Sequence, residues 1–568
     1  MSGRADVPDS RLDRPRPRAA PRLFGSSALL LFLSWLVIYP LMLVFVEGVH
    51  GPGGWTLEHV REFAARPTEW QALRGSLLVS LASVLLAALV GIPLAVLFAR
   101  YDFPGRRLLA GIVALPAVLP PLVGVVAFLF LYGESGFLAR AVQAALGLEE
   151  PPWRLEGAGA ILLVHAYSMY VYFYLLVRAA LLSLDGAQLE AAASLGAGRW
   201  RTLRQVVLPA LRPALTGAAL LTFMTSLASF SAPYVFGGGY RVMTTQIVAT
   251  RLNGEEALAM VETVSLTVLA LAALVLFRDA DREPARGGGK GAAPAPVRVR
   301  RPLARAGLAF LSWGLAGLLL LPHLTLFVVS LVPVGTWTTE AIPPAWTLGN
   351  YATLVRDPVR LRPLLNSLGL ATAATAVSIA IAVLAAVLVV RRRAPGRRIL
   401  EALLGLPWAV PGTVFAIALA TAFSVREPLA GRWILVGTVW ILPLAYLVRS
   451  LPLTSRATLA GFRALDPSLD EAAAALGAGR WRTLAAVTLP LLRPSLVAGG
   501  TLAFVTALGD FVTSIVLYTY DTRPISLEIL SSLRQADVGV AAAYGVVLMV
   551  LSALVFAAAA DRRGGAAG

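Results

Sequence analysis

Uninterrupted apolar runs long enough to cross a bilayer recur along the whole chain, and this fixes the fold class before any motif is read. A helix needs about 20 apolar residues to span roughly 30 Å of hydrocarbon. Such runs lie near 26–46, 75–99, 108–132, 158–183, 213–236 and 258–277, and again near 305–332, 366–390, 399–424, 432–453, 494–517 and 540–560. Inside a bilayer each backbone amide must be satisfied within its own segment, so runs of this length read as helices. The sequence therefore predicts an all-α polytopic membrane protein of about twelve transmembrane helices, arranged as two sets of six. Composition agrees, with 57% hydrophobic and only 14% charged residues. The first run follows a basic stretch from Arg4 to Arg22. It exceeds the roughly 7–15 residues of a signal-peptide core and is expected to remain as the first span.

Several classes of function drop out at once. The chain has no cysteine, which excludes disulfides, iron–sulfur clusters and thiolate metal sites, and its four histidines are scattered; His165 and His323 are isolated and predict no metal site. The net charge of +17 does not point to nucleic acid, because the arginines cluster in short stretches between apolar runs, as in loops on one membrane face. Lys290 is the only lysine. The basic stretches are the N-terminal tail, Arg100 with Arg106 and Arg107, Arg199 to Arg212, residues 278–305, Arg391 to Arg398, Arg480 to Arg493 and Arg562 with Arg563. All fall on one side when the spans are counted through, and the positive-inside rule makes that side the cytoplasm, with both termini there. Gly289-Lys290-Gly291 lacks the Ser or Thr and the preceding strand of a phosphate loop, so the chain is expected to bind no ATP itself. No convergent set of acids, bases or ligands predicts catalysis.

The chain contains an internal repeat. Residues 190–213, EAAASLGAGRWRTLRQVVLPALRP, match residues 471–494, EAAAALGAGRWRTLAAVTLPLLRP, at 19 of 24 positions with a constant offset of 281. Upstream, Phe103 to Arg107 and Leu115-Pro116 recur as Ala394 to Arg398 and Leu406-Pro407 at an offset of 291. The two halves are thus shifted by ten residues in the external loop after the third span. The spans around the repeat have diverged, yet one loop has stayed nearly identical, as it would if a symmetric partner offered the same docking surface to each half. Asp185 and Asp466 are placed to cap a short alanine-rich helix. Gly196 and Gly198, with Gly477 and Gly479, are placed to end it in left-handed backbone. A second helix then carries Trp200, Leu203 and Val207 on one face, or Trp481, Leu484 and Thr488, and Pro209 and Pro490 are expected to stop it before the next span.

Glu190-Ala191-Ala192, Gly196 and Leu208-Pro209, repeated as Glu471-Ala472-Ala473, Gly477 and Leu489-Pro490, resemble the EAA loop of type I ABC importer permeases in the fused two-half form. The resemblance runs through both halves. It implies a first transmembrane domain over 72–277 and a second over 364–560. Flanking them are residues 1–71 (tail, first helix and external loop), a cytoplasmic linker at 278–304, residues 305–363 (seventh helix and external loop) and a tail at 561–568. It further implies that the loops are coupling helices seated on a dimer of ABC ATPase subunits, which would hold the ATP and magnesium, and that a periplasmic or lipid-anchored solute-binding protein delivers the solute. The location implied is the bacterial inner membrane. Tyr132-Gly133, Gly136 to Ala139, Ile161 to His165, Phe230 to Pro233 and Gly509 to Phe511 resemble the ferric-iron permeases and their relatives for thiamine, phosphonates and polyamines. Ferric iron is the expected solute, with those relatives' solutes as alternatives.

Two positions stand out as candidates for the path. Asp510 lies inside the eleventh span, where a carboxylate costs about 2.5–3.5 kcal/mol on insertion scales, and its counterpart in the repeat is Ser229. A role in transport and a hydrogen-bonded packing role are both open for it. Tyr167, Tyr170, Tyr172, Phe173 and Tyr174 form an aromatic group that either lines a passage or packs the bundle. A secondary transporter of the major facilitator type also has twelve spans and a central linker, and Asp102 to Arg107 suits its acidic-Gly-basic loop. The near-identical loop between the fourth and fifth spans is a feature that family does not need.

Overall fold

A computed structural model describes residues 20–51, 53–277, 296–337 and 342–564. Among them, ten helices are long and apolar enough to cross a membrane, or eleven if Arg397–Ala409 and Gly412–Ala422, bent by 108° at their break, form one span. The tenth apolar run of the sequence becomes Ile441–Ala464. It stands outside that count because Arg449, Arg456 and Arg463 interrupt its hydrophobicity, yet it runs in the heart of the second half. The Gly/Pro/Arg linker expected at 278–304 lies mostly outside the described residues; Val297–Arg298 pairs in parallel with Tyr101–Asp102, and Pro302 opens the next helix.

Each half is built on three helices in mutual contact, Pro67–Arg100, Gly157–Leu182 and Leu208–Leu227 in the first and Pro358–Ala386, Ile441–Ala464 and Leu489–Leu508 in the second. Their polarity is that of a bilayer protein. On Pro67–Arg100, Leu78, Leu85 and Leu89 are exposed while Ser76, Ser80 and Ser83 are buried, and the Ser80 and Ser83 hydroxyls donate to carbonyls one turn back, Ser76 O at 2.7 Å and Val79 O at 2.6 Å. Small residues set the helix spacing, as expected where lipid offers no hydrophobic drive for association. A Cβ on Gly91 would lie 2.4 Å from the Tyr170 carbonyl oxygen and 2.6 Å from the Phe173 Cβ.

The halves interlock. The first helix, Gly25–Gly48, packs on the third span of the second half, and Pro302–Val329 packs reciprocally on Arg106–Ile112 and Pro121–Tyr132 of the first half. Polar bonds seal these seams: Trp35 Nε1 donates to Leu429 O at 2.9 Å, and the Tyr167 hydroxyl donates to Leu319 O at 2.7 Å. The aromatic group is therefore mainly packing, since Tyr170 and Tyr174 also spend their hydroxyls on backbone carbonyls, Val113 O at 2.6 Å and Ala110 O at 2.9 Å.

The third and fifth spans were expected to run unbroken and do not. In the first half the third span is Arg106–Ile112, a single 3-10 turn at Leu115–Val118 and Pro121–Tyr132; in the second it breaks at Val410-Pro411. The fifth span ends at Leu227 and resumes at Ser231, and its counterpart ends at Leu508 and resumes at Val512. Pro116, Pro120 and Pro121 in the first half and Pro411 in the second explain the third-span breaks, because proline has no N–H to donate to the helix.

Gly91→Ala should lower stability by about 1–3 kcal/mol through overpacking against backbone, whereas Gly217→Ala, with open space at its Cβ, should be neutral or slightly stabilising. Thermal unfolding midpoints of the two detergent-purified variants check this.

Candidate functional site: paired surface loops and a cavity between the halves

The repeated loop takes the same form twice. Asp185 Oδ1 accepts from Ala187 N at 2.9 Å and starts Gly186–Ser194; Asp466 Oδ1 accepts from Ser468 N at 2.9 Å and starts Ser468–Ala475. The Ser468 N–H beside it holds the Asp466 carboxyl below its ordinary value. Gly196 (φ +71°) and Gly477 (φ +78°) end the helices in left-handed backbone. Ala197 N donates to Ala192 O at 3.0 Å, and Ala478 N to Ala473 O at 2.9 Å, a closure that needs glycine at the turn. Gly198 and Gly479 are extended instead and cap the next helix.

The prolines do not stop that second helix. Arg199–Leu227 and Arg480–Leu508 each run on as one 29-residue helix. A single wide turn, Leu203–Val207 or Leu484–Thr488, absorbs the missing donor: Leu208 N–H bonds back to Leu203 O, and Leu489 N–H to Leu484 O. Proline in the first turn after this step disrupts no bond that the widened turn still needs.

These loops are uncovered. Leu195 is 86% exposed, Trp200 72%, Leu476 89% and Trp481 82%. Glu190, Ala191, Glu471 and Ala472 are exposed too; Ala192 is half-buried and Ala473 buried. Each loop thus presents a matched pair of exposed apolar side chains, one Leu and one Trp.

Asp510 and Ser229 sit elsewhere and come together. All four helix breaks border one cavity of about 440 Å³ between the halves, contributing Ala117, Leu119 and Pro120, Ala228 to Phe230, Val410 with Gly412, and Gly509 to Phe511. Equivalent residues of the two halves, Phe230 and Phe511, touch there with ring centroids 5.7 Å apart, so the cavity lies on the axis relating the repeats. Irregular backbone at membrane depth is tolerated where it lines such a cavity.

Asp510 is buried and fully engaged. Its Oδ1 accepts from Thr513 N at 2.8 Å and Ser514 N at 3.3 Å, capping Val512–Leu517, and its Oδ2 accepts from Thr513 Oγ1 at 3.2 Å and pairs with Arg449 Nη1 at 2.7 Å. The sequence announces Arg449 only as an arginine within the apolar stretch ILPLAYLVRSLPL. Its counterpart in the first half is Ser168, so the first half has Ser168 and Ser229 where the second has an ion pair. Ser229 Oγ lies 2.9 Å from His165 Nε2, and His165 Nδ1 lies 2.9 Å from Ser83 Oγ and 3.1 Å from Ser226 Oγ. His165 is thus tied into a hydroxyl network. Of the aromatic group, Tyr167 and Tyr172 reach the cavity wall.

The sequence pattern of the family described as "Binding-protein-dependent transport system inner membrane component" matches residues 91–280 and 378–560. A probable ABC transporter permease of Sinorhizobium fredii is 31% identical over 505 residues, 87% of this chain and 88% of the relative. The ferric transport system permease of Actinobacillus pleuropneumoniae is 27% identical over 92% of this chain and 76% of its own length. The thiamine transport system permease of Escherichia coli is 28% identical over 86% of this chain and 88% of its own length.

Replacing Arg449 with Met would leave a buried carboxylate uncompensated. The expected loss is about 3 kcal/mol, at the low end for a broken buried pair because the guanidinium is partly exposed, and Asp510→Asn, which keeps part of the cap, should cost less. Thermal midpoints in detergent check the order.

Proposed function

Because the chain belongs to the family of binding-protein-dependent transport system inner membrane components, and is thereby the permease of an ABC importer, we propose that its two exposed loops seat on the two subunits of an ATPase dimer. The major-facilitator alternative falls with that membership. The carrying observation is the pair of loops themselves, alike in sequence, cap, glycine turn and exposed Leu and Trp. A dimeric motor offers two equivalent grooves, and a fused permease needs one knob for each.

In this reading ATP and magnesium are held by the ATPase, and closure of its dimer draws the loops together. Each loop continues directly into the fifth span of its half and on to a break at the cavity wall, so loop movement reaches the cavity and switches which side it opens to. An external solute-binding protein, periplasmic or lipid-anchored, supplies the solute from the opposite face. The loops then lie in the cytoplasm with both termini, and the membrane is the bacterial inner membrane. Asp510 and Ser229 belong to the path, with Arg449 beside them. Ferric iron is the proposed solute, supported by the ferric permease among the relatives; thiamine is the alternative favoured by the thiamine permease.

The native chain is free of cysteine, so Ala191→Cys and Ala472→Cys give single labelling sites. Each is expected to crosslink to an ATPase in native membranes, and capture of no ATPase at either position would remove the docking role. In vesicles containing permease, ATPase and binding protein, ATP-dependent uptake of ferric iron is expected, reduced tenfold or more by Gly196→Val with Gly477→Val, since valine cannot hold the left-handed turn. ATP-dependent uptake of thiamine in place of iron would transfer the assignment to the alternative.

A further inference from the structure

The cavity wall is electrostatically one-sided. Among the described residues that line it, Arg449 and Asp510 are the only ones bearing a formal charge. They are not equally placed. The Asp510 side chain is 3% exposed and that of Arg449 28%. Every carboxylate oxygen of Asp510 is already committed, to two backbone N–H groups, to the Thr513 hydroxyl and to Arg449. Among the described residues, Arg449 is engaged through Nη1 alone, by Asp510 and by Thr513 Oγ1 at 3.1 Å. Since a guanidinium carries five N–H donors, most of its donors are left for the cavity.

The seat of this guanidinium is built for it. A Cβ on Gly412 would lie 2.3 Å from Arg449 Nη1 and 2.9 Å from its Cζ, so glycine at the third-span break is what lets the group press against the backbone. The equivalent position in the first half is Pro121 and the equivalent of Arg449 is Ser168. The charge is therefore a property of one half only, held by a counterion behind it and a side-chain-free backbone beside it.

We infer that Arg449 sets the charge class of the solute: the cavity accepts anions, a metal ion crosses only inside a net-anionic complex with its oxyanion or carboxylate ligands, and free organic cations are disfavoured. The exposed face of a buried pair is the end a solute meets, and in a low-dielectric cleft its field is strong. A planar fork of donors also matches carboxylate and oxyanion geometry. The inference rests on the cavity being the solute's path.

The test needs no knowledge of the solute. Thr225 and Thr506 are equivalent positions, both exposed and both on the cavity wall. Thr225→Cys and Thr506→Cys are made singly in the cysteine-free full-length chain and reconstituted in nanodiscs. Each is treated with anionic sulfonatoethyl, cationic trimethylammonioethyl and neutral methyl methanethiosulfonates, with rates divided by those of a free thiol. The anionic reagent is expected to react about tenfold faster than the cationic one. Arg449→Met should bring the ratio to one or below, Arg449→Lys should keep it above one, and Asp510→Asn, which removes the counterion behind Arg449, should raise it. A ratio at or below one with Arg449 present overturns the inference, as does labelling by the neutral reagent alone or no labelling at all. Binding-protein-stimulated ATP hydrolysis is then measured on the same nanodiscs after addition of the ATPase and the binding protein. Its absence alongside a high anionic ratio would count against the importer reading and leave the charge class standing, whereas normal stimulation with no anionic preference would do the reverse.

Discussion

The structure depends on one constraint, that a backbone amide in hydrocarbon must find its partner nearby. Four spans violate it, the third and fifth of each half, and all four do so at one place. At the third-span breaks proline leaves no N–H to be satisfied, short helices restart the ladder beyond every break, and in one case the Asp510 carboxylate caps the restarted helix Val512–Leu517. A cavity can exist there because the breaks face each other instead of lipid. Were they scattered around the bundle, each would leave unsatisfied groups against acyl chains.

Symmetry organises the rest. Phe230 meets Phe511, and the first helix of each half crosses to pack on the third span of the other. Neither half buries its own third span with its own helices alone, so the fused chain folds as one body. Within this frame the second half carries an ion pair where the first carries serines, and the chemical identity of the cavity comes from that local departure from the repeat.

The sequence was most legible where local chemistry decides the outcome. Asp185 and Asp466 cap through their carboxylates, and Gly196 and Gly477 turn because they lack a Cβ, while the apolar runs mark the spans because hydrophobic length is a property of each segment alone. Asp510 and Ser229 were visible as an anomaly and its repeat partner. What stayed hidden depends on distant neighbours. Arg449 is inconspicuous in the sequence because its meaning lies in Asp510, 61 positions along the chain, and the breaks at Ala228 to Phe230 and Gly509 to Phe511 contain no proline to announce them. The expectation that Pro209 and Pro490 end a helix failed for a definite reason: a turn widened by one residue removes the bond that proline would have broken.

That widened turn has a mechanical consequence. A helix of 29 residues measures about 43 Å at its usual rise, and it reaches without interruption from the exposed tryptophan-bearing loop to the edge of the central chamber. Such a member behaves as a stiff rod hinged within the bilayer, so a tilt of about 10° about one end carries the other through roughly 7 Å. Had the prolines severed it, force applied at the surface would have been lost in a flexible joint; by letting the rod pass through, one stretched turn makes leverage available at the chamber.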